Sequence, residues 1–310
     1  MDSLPLLTTD QMASFVSRGF LRLDAVVPED INAQAMRELP LLFRAWLDEF
    51  RGARRGGSPA DEPDEAPIPR SGTALDDAYP VDSAFGRMVR VPVIAGAIAS
   101  LVGTGPVVDH HFVHIKAAGD LTAQGLHCDA IIDTGVAFDI QLFWFPHDVA
   151  PREGGTRYVP GSHLRRVNMD DVARYQHLAG EEYHAGPAGT VVIFHHGLWH
   201  AGAPNYGPEN RVLGKLRLNP TVPQVRLWNT ADVDGRNRSD DHVFARTDPA
   251  MVAGELRRSE DWYEPSVHRL ETVQRAKLWR YLTGDQSFDV DWYLTRTERR
   301  AVLAAASGAR

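Results

Sequence analysis

Apolar residues first recur at helical spacing at Met12, Phe15 and Val16, behind a Thr8-Thr9-Asp10-Gln11 run of capping-box form. A helix is expected there, stopped at Gly19 and followed by a short strand, Phe20-Leu21-Arg22-Leu23. A second helix is expected from Pro28 towards Phe50. Residues 52–71 are rich in Gly, Pro and charge and poor in apolar residues, the signature of a flexible loop, either disordered or a lid. From Val107 to Thr221 the pattern turns strand-like, in the runs HHFVHIKA, FDIQLFWF, TRYVP, GTVVIFHH and VLGKLRLNP. Each is short, rich in β-branched or aromatic residues and bounded by Gly, Pro or Asp. Short strands without long helices between them imply a sandwich, barrel or jelly roll rather than a doubly wound sheet. After Asn219-Pro220 the chain becomes polar and helical, first over 261–282 and then in an alanine-rich helix from Thr295 to Ala306. The expected architecture is mostly β with flanking helices, in one domain over 1–310. Its core spans about 105–221, with an N-terminal helical region (1–104) and a C-terminal helical extension (222–310). That extension could also build a homodimer interface.

Composition narrows the class. Of the 310 residues, 43% are hydrophobic and 24% charged, which suits a globular protein with a sizeable core. A net charge of -8 argues against a general nucleic-acid binder. With Cys128 as the sole cysteine, no disulfide can form within the chain and a cysteine zinc site is not expected. The first residues lack a basic stretch followed by an apolar run, and no segment approaches the ~18 apolar residues of a membrane span. The expectation is a soluble cytoplasmic protein with neither membrane nor nucleic-acid partner.

Chemistry is carried by histidines. In Gly125-Leu126-His127-Cys128-Asp129 an extended backbone puts His127 and Asp129 on one face and Cys128 on the other. An imidazole and a carboxylate so placed supply two of the three ligands of a 2-His-1-carboxylate iron site. Such a pair alone is weak, since most are ordinary hydrogen-bonding partners. The third ligand must come from elsewhere, and FHHGLWHAGAPN offers His195, His196 and His200.

The order of motifs narrows that choice. HCD is followed by EGGTRYVPGSH, then HAGAPN, then Arg211. This run, His127 to Arg211, resembles the phytanoyl-CoA dioxygenase family of iron(II)/2-oxoglutarate oxygenases, with its H-x-D, Gly-rich turn into P-G-S-H, H-x-x-x-P-N and arginine. The resemblance implies a double-stranded β-helix (jelly-roll, cupin-like) core. It makes His127, Asp129 and His200 the metal ligands and catalytic centre. Arg211 becomes the partner of the far carboxylate of 2-oxoglutarate, a task that suits the planar guanidinium fork. Iron(II), 2-oxoglutarate and dioxygen follow as cofactor and co-substrates. The implied reaction is hydroxylation of an unactivated C–H bond in a small organic substrate (a natural product, an amino acid or an acyl derivative), with release of succinate and carbon dioxide. Asp129 argues against halogenation, which needs the carboxylate position vacant.

Further residues follow with less force. In FDIQLFWF, Asp139, Gln141, Phe143 and Phe145 share the face assigned to the barrel interior. Phe143, Gln141 and Thr156 are co-substrate-binding candidates, with packing as the competing role. His110, Phe112, His114 and Lys116 alternate onto one face beside the expected metal, with solvent exposure as the plain reading. His195 and His196 belong to a strand end in a supporting or structural role, and His163 to a turn or the surface. Trp199 should wedge against the core or the pocket wall. Two other functions remain: a cupin-like metal enzyme without 2-oxoglutarate, which has no use for Arg211, and a non-catalytic jelly-roll binding protein.

Overall fold

The computed structural model describes residues 4–54, 69–129, 137–165, 177–237, 248, 251–263 and 268–290, with side chains of 46–54 excepted. Most of the loop expected at 52–71 and the helix expected at Thr295–Ala306 lie outside the described residues.

The protein has a jelly-roll fold made of two antiparallel sheets. The larger has the order β1 (Phe20–Leu23), β6 (Thr190–His195), β3 (Ile140–Phe145), β8 (Arg211–Asn219), β2 (Val107–Lys116). The smaller has the order β5 (Glu182–Tyr183), β4 (Thr156–Tyr158), β7 (His200–Gly202). Alternation sorts the central strands β6, β3 and β8 into two buried faces. Phe20, Phe143, Phe145, Val192, Phe194 and Leu213 point inward and pack with Tyr158 of the small sheet. The Phe20 and Tyr158 rings meet at 4.8 Å across that interior. Ile140, Leu142, Trp144, Ile193 and Leu216 point outward into the helical layer. Trp144 secures its indole there by donating to Asn32 Oδ1 at 3.0 Å.

The N-terminal elements form as the pattern predicts. Helix α1 (Thr9–Arg18) has the complete Thr8/Gln11 capping box, and Gly19 ends it in the left-handed region at φ 81°. Helix α2 spans Glu29–Arg54 and tolerates Pro40 in its interior. Strand β1 lies outside the 105–221 interval yet joins the large sheet, pairing Phe20–Leu23 with Phe194–Val191 of β6. Helices at Leu75–Ala78, Ala84–Val89 and Pro92–Val102 fall in the expected N-terminal helical region, though the sequence pattern did not place them individually. The last carries PVIAGAIASLV and is buried on nearly every side, so it offers no amphipathic period to read. The C-terminal region supplies a helix at His268–Thr283, where Trp279 and Leu278 pack into the outer core. Among the described residues, no helix is long and apolar enough to cross a membrane.

Candidate metal centre

The segment 124–129 runs beside β7 as a near-strand. His127 and His200 exchange both backbone hydrogen bonds, at 3.1 and 2.8 Å, and Gln124 N donates to Gly202 O at 3.1 Å. Two turns of pleat further on, Asp129 N donates to His196 O at 3.2 Å. The backbone itself therefore brings the H-x-D segment against the strand that carries the distal histidine.

Their side chains converge. His127, Asp129 and His200 offer ligand atoms that all lie within 4.8 Å of one another. His127 Nε2 is 3.8 Å from Asp129 Oδ1, and His200 Nε2 is 3.7 Å from Asp129 Oδ2. Each imidazole donates its Nδ1–H to a carbonyl two residues back, His127 to Gly125 at 2.9 Å and His200 to Leu198 at 2.9 Å. That bond fixes the tautomer and leaves Nε2 with its lone pair aimed inward, the usual way a protein orients a metal-binding histidine. Burial pushes the His200 pKa down to about 3, helped by Lys215 and opposed by Asp129, so the imidazole is neutral and able to coordinate. Burial alone would raise the Asp129 pKa. The nearby His200 and Lys215, with hydrogen bonds from Lys215 and Gln141, outweigh burial and hold the carboxyl well below its usual range. Two imidazoles and one ionised carboxylate, the last two-thirds or more buried, are a donor set that fits iron(II) with open positions.

Lys215 was not singled out from the sequence. Its Nζ lies 2.7 Å from Asp129 Oδ2 and 5.2 Å from the Phe143 ring centre. Gln141 Nε2 donates to the same Oδ2 at 2.8 Å, which leaves Gln141 Oε1 buried without a hydrogen-bond partner among the described residues. Phe143 packs edge-on against the His200 ring at 5.4 Å. Arg217, also unexpected, ties Asp139 at 2.7 Å and reaches towards Asp109 at 3.5 Å. A period-two reading of β8 could have found both, because Arg211, Leu213, Lys215 and Arg217 alternate onto one face.

Arg211 is 4% exposed. Its Nε donates to Gly154 O at 2.7 Å and its Nη1 to His114 O at 3.3 Å. No carboxylate pairs with it among the described residues, and burial lowers its pKa only to about 10, so it keeps its charge. A buried cation without a counter-ion fits an anionic ligand. Thr156 is buried at the start of β4, next to the Gly154-Gly155 turn.

The other histidines divide. His195 is fully buried, accepts from Gly197 N at 3.0 Å and stacks on His196 at 5.0 Å. His196 Nδ1 accepts from Asp139 N at 2.9 Å, while its carbonyl pins Asp129. Neither joins the metal-ligand cluster. His110 pairs with Asp109 at 2.6 Å and is half-buried, and burial pushes the His114 pKa to about 4. His163 sits in a 3-10 turn, Ser162–Leu164, as expected, but is buried rather than at the surface: Nε2 donates to Val16 O at 3.0 Å and closes α1 onto the turn. Trp199 packs on Leu126, Val159 and Trp262.

Comparison with known proteins places this geometry. The sequence profile of the phytanoyl-CoA dioxygenase (PhyH) family matches residues 15–212, an interval that includes His127, Asp129, His200 and Arg211. The chain belongs to the phytanoyl-CoA dioxygenase family. Iron(II), 2-oxoglutarate and dioxygen are the cofactor and co-substrates of phytanoyl-CoA dioxygenase-type enzymes. L-proline trans-4-hydroxylase from Streptomyces griseoviridis is 26% identical over 179 residues, covering 47% of this chain and 66% of that protein, just under two thirds of its length. Among solved structures, the non-heme monooxygenase ThoJ in its nickel complex aligns with a TM-score of 0.47 at 21% identity, covering 68% of this chain and 80% of that one. HygX from Streptomyces hygroscopicus, with nickel and 2-oxoglutarate bound, aligns with a TM-score of 0.47 at 16% identity, covering 70% and 88%.

Proposed function

We propose that this protein is an iron(II)/2-oxoglutarate-dependent oxygenase that hydroxylates a C–H bond of a small organic substrate. One observation carries the reading: the Nε2 atoms of His127 and His200 and the Asp129 carboxylate converge within 4.8 Å, in a chain of this family. The buried Arg211, which meets no carboxylate among the described residues, supports 2-oxoglutarate as the partner of that centre, and distinguishes it from a cupin-like enzyme that needs no such acid.

His127, Asp129 and His200 would hold iron(II) from one side and leave the other side open. When bound, the metal supplies the redox chemistry by which dioxygen converts 2-oxoglutarate to succinate and carbon dioxide and oxidises the substrate. The chain's own work is positional. Arg211 draws in the far carboxylate of 2-oxoglutarate and fixes its direction along β8. Lys215 and Gln141 occupy Asp129 Oδ2 and keep that carboxylate from rotating. Phe143, Phe145 and Leu213 wall the interior and exclude water. The substrate meets the centre from the side of His127 and Asp129, which are 32% and 23% exposed against 5% for His200. Because the related Streptomyces protein is named for proline, amino acids head the panel to be tried, with natural-product scaffolds and acyl derivatives after them.

The test is succinate release from 2-oxoglutarate with iron(II), dioxygen and that panel, beside a direct measurement of iron binding. Arg211→Ala should abolish 2-oxoglutarate turnover while iron binding stays within about threefold of the parent, since Arg211 touches none of the three ligands. Turnover that survives in Arg211→Ala sinks the co-substrate assignment. Failure of the parent to bind iron sinks the oxygenase reading itself.

A further inference from the structure

His184 follows directly after β5, and its backbone N donates to Thr156 O at 2.8 Å. The imidazole is 2% exposed and stacks flat on Phe145, with ring centres 3.6 Å apart and planes inclined by 14°. Among the described residues, neither ring nitrogen has a hydrogen-bond partner. Leaving a buried polar group unsatisfied costs about 1–3 kcal/mol. Two such atoms on one ring are therefore expensive unless something absent from the polypeptide meets them. Burial pushes the His184 pKa to about 3, with nearby Arg22 adding to that and Asp24 opposing, so the ring is neutral, with one N–H to donate.

The neighbourhood says what that partner is. Arg211 donates to Gly154 O, while the His184 carbonyl lies so close to Gly155 that an added Cβ would be 2.0 Å from it. Arg211 and His184 thus flank the same three residues, Gly154 to Thr156. Thr156 shares its strand face with Tyr158, which lies in the inner cluster. Two of the five guanidinium N–H groups of Arg211 are engaged, by Gly154 and His114. A carboxylate that takes the Arg211 fork still has lone pairs to spare. A packing role alone would explain the stacking on Phe145 but not a bulky polar ring with both nitrogens idle within electrostatic range of Arg211.

We propose that His184 is a second anchor for the far carboxylate of the 2-oxo diacid held by Arg211, donating its N–H to a carboxylate oxygen that the guanidinium leaves free. This rests on the co-substrate reading above and adds a binding residue to it. The experiment titrates the full chain, loaded with nickel(II), with two ligands by calorimetry: 2-oxoglutarate, and 2-oxopentanoate, which has the same length but a methyl group in place of the far carboxylate. His184→Phe keeps the stacked ring and removes the N–H. It should weaken 2-oxoglutarate binding by about tenfold, as expected for one hydrogen bond to a charged group. It should leave 2-oxopentanoate and nickel affinity unchanged. His184→Gln, which restores an N–H, should recover most of the loss. His184→Leu replaces the Phe variant if the latter melts earlier than the parent. Equal 2-oxoglutarate affinity in the parent and the apolar variant overturns the proposal, as does an equal loss for both ligands. If the parent binds 2-oxoglutarate no better than 2-oxopentanoate, the co-substrate reading falls and takes this one with it.

Discussion

Asp129 owes its setting to neighbours on two strands and the turn after a third: Gln141 of β3, Lys215 of β8 and the carbonyl of His196 just past β6. A carboxylate held through one oxygen presents the other in a fixed direction, and partners of this kind are worth about 10–100-fold in metal affinity. Gln141→Leu removes a neutral donor of similar size, so no change of charge confuses the outcome. It should weaken manganese(II) or iron(II) binding by about tenfold with an unchanged far-ultraviolet circular dichroism spectrum. Affinity equal to that of the parent would mean that Lys215 alone orients the carboxylate. At this scale the motif named His127, Asp129 and His200, which the structure brings together, and Arg211, which it buries. The sequence was silent on Lys215 and His184, since neither lies in a motif and their meaning comes from what folds against them.

At the scale of elements, period-two alternation was the strongest signal. It separated the inward Gln141 and Phe143 from the outward Leu142 and Trp144, in runs whose β-branched and aromatic content and Gly, Pro or Asp borders had located β2, β3, β4, β6 and β8 within a residue or three of their ends. Strands β5 and β7 span two and three residues, too short to show any period. The helix at Pro92–Val102 was hidden for the opposite reason, being apolar all round. It is also packed tightly against the N-terminal segment: Leu7 N donates to Ser100 Oγ at 2.9 Å, and a Cβ on Gly96 would stand 2.1 Å from the Pro5 carbonyl oxygen. Gly96→Ala therefore sets two effects against each other. Helix propensity favours alanine by about 1 kcal/mol, and overpacking against backbone costs about 1–3 kcal/mol. The clash should win, lowering the urea midpoint, and a rise in that midpoint would show that the N-terminal segment gives way freely.

For the molecule as a whole, buried neutral histidines couple the fold to pH. Burial pushes the His111 pKa to about 4, and burial with Arg275 pushes that of His163 to about 3. His111 hydrogen-bonds Tyr79 at 2.9 Å, and His163 holds Val16. An unfolded histidine titrates near ~6.5. Between that value and the folded one, the unfolded chain binds the extra proton, so the stability these residues contribute is complete above about pH 7 and drains away as pH falls. Each contributes a slope of about 1.4 kcal/mol per pH unit once its unfolded form is protonated. Urea midpoints measured from pH 8 down to 5 should stay level at first and then drop below pH 6.5. In His111→Phe the drop should be shallower by about one proton, and an unchanged slope would remove His111 from the account.

The large sheet is completed by β1 at its edge, and the site by a contact between residues 73 positions apart, His127 and His200. The second of these has a thermodynamic meaning. Two main-chain hydrogen bonds, rather than the metal, set the separation of the two imidazoles. Most of the ordering entropy of the ligand set is thus met when the chain folds, and an arriving cation has little left to organise. Capture and loss of the ion should then be a local exchange at a standing frame, with the protein staying folded when the metal is removed.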